Sequence, residues 1–268
     1  MLYYIFEIKY FCESIKNYNM SGHSKWSTIK RKKGANDARR GKMFTKLIKE
    51  ISIATKEGGG PDPEANPRLR LAIQNAKGAN MPKDNIARAI KKASGSDADH
   101  YDEVTYEGYA THGVAVFVEC VTDNLNRTVA AVRAAFNKYG GSLGTNGSLE
   151  FIFDHKGVFS IKEPDNFDED EFMLEVIDVG AEEVENEEEY ISITTAMEDF
   201  GNVNKKLEEM GVETESAELQ RIPKTLVELD DSSFKQVMKF IEALEDNDDV
   251  QKVYHNIDIK DSKIELVG

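Results

Sequence analysis

Between Lys25 and Lys49 the chain places ten basic side chains, Lys25, Lys30, Arg31, Lys32, Lys33, Arg39, Arg40, Lys42, Lys46 and Lys49, against a single acid, Asp37. Surfaces of soluble domains ordinarily intersperse both signs. Cations at this density therefore point to a polyanion held through its phosphates. Lys25, Lys32, Arg39 and Lys46 recur every seven residues, a spacing that would keep them near one face of a continuous helix. Gly34 and Gly41 argue against that continuity, since each costs about 1 kcal/mol in a helix interior. Trp26 could stack on a base, as aromatics among cations do, but a lone Trp in a small helical unit more often anchors its core.

Other chemistries are poorly supplied. His23, His100, His112, His155 and His255 are scattered, and none has the i, i+4 partner or the cysteine pair of a zinc site. Cys12 and Cys120 can build neither a disulfide framework nor a four-cysteine metal site, so a reducing cytoplasm is expected. From Glu163 to Glu189 there are 14 acids and no Lys or Arg, without the glycine and ligand spacing of a calcium loop. That stretch predicts a solvated, repelling surface. The segment GGSLGTNG (140–147) follows a helix and precedes a strand, the reverse of a phosphate-cradling loop, and predicts a mobile hairpin entry that could serve as a contact loop. No nucleophile elbow or other catalytic motif is present. The expectation is no enzyme, no catalytic residue, no metal and no cofactor.

These residues need a frame. The chain has 268 residues, enough for about two ordinary domains, with 34 Lys and Arg against 49 Asp and Glu. Its net charge of −15, taken whole, argues against a nucleic-acid binder. The charge is divided, however: residues 20–95 carry 18 basic and 6 acidic groups, net +12, whereas residues 96–268 carry 14 and 41, net −27. A basic unit on an acidic remainder predicts one polyanion-binding face, with like-charge repulsion holding the rest away. No apolar run approaches the ~20 residues of a membrane helix. Residues 1–19 lack the features of a secretory or mitochondrial leader and are taken as an extension, with Met20 as the natural beginning.

Periodicity predicts three helices in the basic unit. Phe44, Leu47, Ile48 and Ile51 share one face, as do Leu69, Ala72, Ile73 and Ala76; Gly58–Pro63 interrupts them, and Pro82 with Asp84 starts a third helix carrying Ile86 and Ile90. From about His100 the period changes to that of strands, expected at 104–109, 114–121 and 149–153, with a helix carrying Leu125, Val129, Val132 and Phe136 between the second and third. Residues 157–222 then read strand, helix, strand, strand, helix, strand, the ferredoxin-like βαββαβ order. The tail adds a strand at 225–229, a helix with Phe234, Val237, Met238, Ile241 and Leu244, and a strand at 250–257. The sheet begun near residue 100 lacks partners until that tail returns. The expected class is therefore α+β in three domains: a basic helical domain (20–97), an α/β domain (98–156 plus 223–268), and an acidic ferredoxin-like domain (157–222) inserted into it.

Gly22-His23-Ser24-Lys25-Trp26, KGANDARRGKMFTKLIKEI, NPRLRLAIQNAKGANMPKDNIARAIKK, TDNLNRT and GGSLGTNGSLEFIF together resemble the YebC family, which includes PmpR-type bacterial regulators and the mitochondrial translational activator of cytochrome c oxidase. The resemblance covers residues 21–268. It implies a helical N-terminal domain and two α/β domains of ferredoxin-like topology, the third inserted into the second, with no enzymatic activity. It also implies a DNA-binding transcriptional regulator or, alternatively, a ribosome-associated translation factor that binds ribosomal RNA and relieves stalling at proline-rich sequences. The contact residues carried over are the basic set from Lys25 to Lys46 and the cluster Asn124, Asn126 and Arg127; family members often have a basic residue where this chain has Leu125. The partners expected are DNA or ribosomal RNA, with no membrane. Oligomeric state is open, a monomer being the working expectation.

Overall fold

A computed structural model of the protein describes residues 37–95, 99–162, 168–186, 190–260 and Lys263. The extension 1–19 and the sequence-predicted residues Lys25, Trp26, Lys30, Arg31, Lys32 and Lys33 lie outside the described residues. The class is α+β, a helical region followed by two regions each built on an antiparallel sheet.

The helical region is α1 (Asp37–Glu57), α2 (Pro67–Gly78) and α3 (Lys83–Ala93). Gly41 does not interrupt α1; a side chain there would meet nothing within 4 Å, so glycine is tolerated at its entropic cost alone. Asn66 starts α2 by accepting the Leu69 N–H, with Pro67 pre-set for the first turn. The apolar stripes of all three helices meet in a core of Ile51, Ala54, Leu69, Ala72, Ala76, Met81, Ile86 and Ala89.

The first sheet runs β3-β1-β2-β8, from β1 (Asp102–Tyr109), β2 (Ala115–Thr122), β3 (Ser142–Leu143) and β8 (Val250–His255). The expected return of the tail is observed: β8 lies antiparallel on β2, with Val116 opposite His255 and Val118 opposite Val253. Helices α4 (Leu125–Lys138) and α7 (Asp231–Glu245) share a core with this sheet, where the Phe136 and Phe240 rings meet edge-on at 4.8 Å. The second sheet, β5-β6-β4-β7, is made by β4 (Phe153–Lys162), β5 (Ala181–Asn186), β6 (Tyr190–Ala196) and β7 (Thr214–Pro223), with α5 (Glu169–Ile177) and α6 (Phe200–Glu209). This is the strand order of the split βαβ motif. Phe159, Ile161, Phe172, Val176, Ile191, Ile193, Val203 and Leu207 fill its core.

Three expectations are corrected. Residues 149–152 are turn, not strand: Leu149 is buried and the Ile152 N–H closes on its carbonyl, so pairing starts at Phe153. The stretch 225–229 forms no ladder, only a single parallel bridge between Val227 and Ile257. The glycine-rich loop is pinned rather than loose. The Glu107 carboxylate, 3% exposed, accepts the N–H groups of Gly147 and Leu149, both at 2.6 Å, and Gly147 supplies the positive φ of 84° that this curve requires. The loop is an anion cradle already filled by the protein's own carboxylate.

Candidate nucleic-acid interface

Helix α1 presents Lys42, Lys46 and Lys49 at i, i+4 and i+7, one stripe of a helix. That stripe faces the turn joining α7 to β8. Lys42 Nζ reaches Asp246 Oδ1 at 2.9 Å, Lys46 Nζ donates to the Glu245 carbonyl at 3.0 Å, and Lys49 Nζ donates to the carbonyls of Asp248 (2.7 Å) and Val121 (3.1 Å) and to Asp249 Oδ1 (3.0 Å). Helix α7 has no basic residue in its own last turn. The lysines of α1 provide from another element the positive charge that the carboxyl end of a helix favours. Burial is graded along the stripe: the side chains of Lys42 and Asp246 are 44% and 75% exposed, those of Lys49 and Asp249 only 11% and 8%.

Arg127 belongs to the same network. Its guanidinium bonds Asp249 through Nε at 3.1 Å and Nη2 at 2.7 Å, and Asp123 at 2.7 Å. Thr128 Oγ1 also donates to Asp249 at 2.9 Å. Burial pushes the Asp249 carboxyl up, but the bonds from Arg127, Lys49 and Thr128 outweigh it and hold the group below the usual carboxylate range. Asn124 is the N-cap of α4, its side chain accepting the Arg127 N–H, and Asn126 is exposed beside it. Of the cluster expected at this turn, Asn126 remains turned outward, while Arg127 and Asn124 have structural partners.

Arg39 lies in α1, within the described backbone but outside the described side chains. Arg40 is exposed, its guanidinium 5.4 Å from the Phe44 ring and 3.4 Å from the Asn80 carbonyl. Gathered around the α7–β8 turn are thus Lys42, Lys46 and Arg127; Arg40 and Asn126 stand outside it. A set not singled out from the sequence is the outer face of α3. Opposite the buried Ile86, Ala89 and Ala93, it exposes Lys83, Asp84, Ala87, Arg88 and Lys91. The signal was available, since the amphipathic period that places Ile86 inward also places Lys91 outward.

Chemistry other than charge is weakly represented. The one described cysteine, Cys120, is buried, and burial with the nearby Asp249 charge pushes its thiol up to about 12, away from nucleophilic use. Among the described residues no group of three or more His, Cys, Asp or Glu could hold a metal ion, and no helix is long and apolar enough to cross a membrane.

Comparison with known proteins adds the following. Residues 24–96 match the profile of the TACO1/YebC protein N-terminal domain, and residues 101–257 match that of the TACO1/YebC second and third domain. A chain from Amoebophilus asiaticus named "Probable transcriptional regulatory protein" is 60% identical over 240 residues, covering 89% of this chain and 98% of that one. A Bacillus licheniformis chain with the same description is 56% identical over 240 residues, covering 89% and 100%. The crystal structure of a conserved hypothetical protein from Aquifex aeolicus superposes with a TM-score of 0.74 at 45% identity, covering 84% of this chain and 93% of that one.

Proposed function

The chain belongs to the TACO1/YebC family, and from that premise we propose that it is a non-enzymatic, cytoplasmic regulator of gene expression that binds DNA through its basic helical region. The observation that carries the reading is the partition of charge, net +12 over residues 20–95 and net −27 over residues 96–268. A phosphodiester chain is drawn to the first region and repelled by the second, which orients the complex before any base is read. The names of the bacterial relatives support the transcriptional form. The second reading, a translation factor on ribosomal RNA acting where proline-rich sequences stall, is favoured by one feature: the one amide of α3, Asn85, is half-buried and accepts from Arg88, so the exposed face offers Lys and Arg but no free Asn or Gln to pair with adenine edges.

The test compares affinity for promoter duplex with co-sedimentation on ribosomes at physiological salt. Specific duplex binding at least ~10³ tighter than nonspecific supports transcription; ribosome association without that ratio supports translation. Reversing Lys32, Arg39 and Arg40 to Glu is expected to abolish either binding while leaving the thermal melt in place. Persistence of binding in that variant would move the contact away from the basic segment.

A further inference from the structure

We infer that the outer face of α3, through Lys83, Arg88 and Lys91, is a surface on which the phosphate backbone of a double helix lies. The inference rests on the nucleic-acid reading above and assigns it residues outside the Lys25–Lys46 segment.

Around the α7–β8 turn the cations are already engaged. Lys42 and Arg127 are paired with carboxylates, and Lys46 donates to a helix-terminal carbonyl. A phosphate binding there must displace those partners. On α3 the situation is reversed. Among the described residues, Lys83 and Lys91 are exposed and have no ion-pair partner, and Arg88 bonds only within its own helix, to the Asp84 carbonyl and the Asn85 side chain. Of nearby acids, Asp84 sits on the first turn, where the helix dipole favours it, and Asp99 pairs with Lys92.

The geometry suits a double helix. Eight residues separate Lys83 from Lys91, about 12 Å along the axis at ~1.5 Å per residue. One strand of a duplex carries a phosphate per ~3.4 Å of axis, so the face spans roughly three to four of them. Ala87, exposed between Lys83 and Lys91, has only a methyl group and lets the backbone approach. Helix α3 contains no aromatic residue, so it lacks the stacking platform by which single strands are held. A rigid helix bearing three cations besides the paired Lys92, and no stacking ring, makes sequence-independent backbone contacts.

The test uses the full chain with Lys83→Gln, Arg88→Gln and Lys91→Gln together, measuring log Kobs against log salt on duplex DNA of two unrelated sequences, an RNA hairpin and a single strand. Each phosphate contact contributes about 0.9 to the slope on duplex DNA, so the triple variant should flatten it by about 2 to 3, equally for both sequences. The DNA and RNA arms show which duplex is held. Lys235→Gln, on the exposed side of α7 and outside the basic region, should leave the slope unchanged, and Lys83→Arg with Lys91→Arg should retain the wild-type slope, which separates charge from helix packing. A wild-type slope in the triple variant, while the wild type binds duplex, overturns this surface and leaves the nucleic-acid reading standing. An equal loss on the single strand overturns the assignment to a double helix. Absence of salt-dependent binding by the wild type overturns both.

Discussion

Asp249 accepts from Lys49, Arg127 and Thr128 at once, and the first and last of these contacts are buried. Asp249→Ala would leave the Lys49 ammonium buried with only carbonyl partners and release Arg127, and breaking a buried pair by removing one member costs about 3–5 kcal/mol. Urea denaturation should register a loss of that size, whereas Lys42→Ala at the exposed end of the stripe should lose at most about 1 kcal/mol. His255 is fully buried, and burial drives its pKa from 6.5 down to about 4. The unfolded chain therefore binds this proton more readily than the folded one. The associated stability is present above pH 6.5 and is lost as pH falls toward 4, a span of roughly 3 kcal/mol. Melting temperature followed from pH 7 to 4.5 should decline in the wild type and decline less in His255→Asn. At this scale the sequence displayed charge but not partnership. Lys46 and the Glu245 carbonyl are 199 residues apart, and no local pattern joins them, which is why the partners of Lys42, Lys46 and Arg127 within the chain were not legible in the sequence.

Asn75 of α2 pairs with the edge strand β7 as a neighbouring strand would, donating to the Ala217 carbonyl at 2.9 Å and accepting the Ala217 N–H at 3.0 Å. Close approach is permitted by Gly78, where a Cβ would overlap the Glu215 carbonyl. Asn75→Ala leaves both backbone groups of Ala217 buried without partners, an expected cost of about 2–4 kcal/mol. Hydrogen exchange should show it as faster exchange at Ala217, while the amides of β4 and β6 change little. Elements of this length were largely legible from period alone. The three basic-region helices, the βαββαβ order and the return of β8 all followed from spacing. The failures at 149–152 and 225–229 share one cause: short apolar runs look alike whether they pair as strands or plug a core from a turn, as buried Leu149 and Leu229 do. The pinned loop escaped because its organiser, Glu107, lies 40 residues upstream of Gly147 on another strand.

Across the whole molecule, the three regions are joined by charge as well as by apolar surface. Arg221 of β7 lies 3.9 Å over the Phe117 ring of β2 and bonds Glu119 at 3.1 Å, and Lys252 of β8 pairs with Glu218 of β7 at 3.0 Å. With cations and anions so divided, nucleic-acid affinity should be strongly salt-dependent: six engaged phosphates give a log-log slope near about −5 on duplex DNA. A titration from about 50 to about 200 mM salt, over which that slope gives about a thousandfold loss of affinity, checks it. The topology of the first sheet has one more result. Strand β2 takes β8 as its outer neighbour, and residues 123–249 lie between them. During synthesis at ~5–20 residues per second, the nascent hairpin waits roughly 6 to 25 s for that neighbour. Throughout that interval Val116, Val118 and Cys120 line an open edge. Before the tail emerges, the half-made sheet is a substrate for chaperones and a template for mispairing with other unfinished copies on the same message.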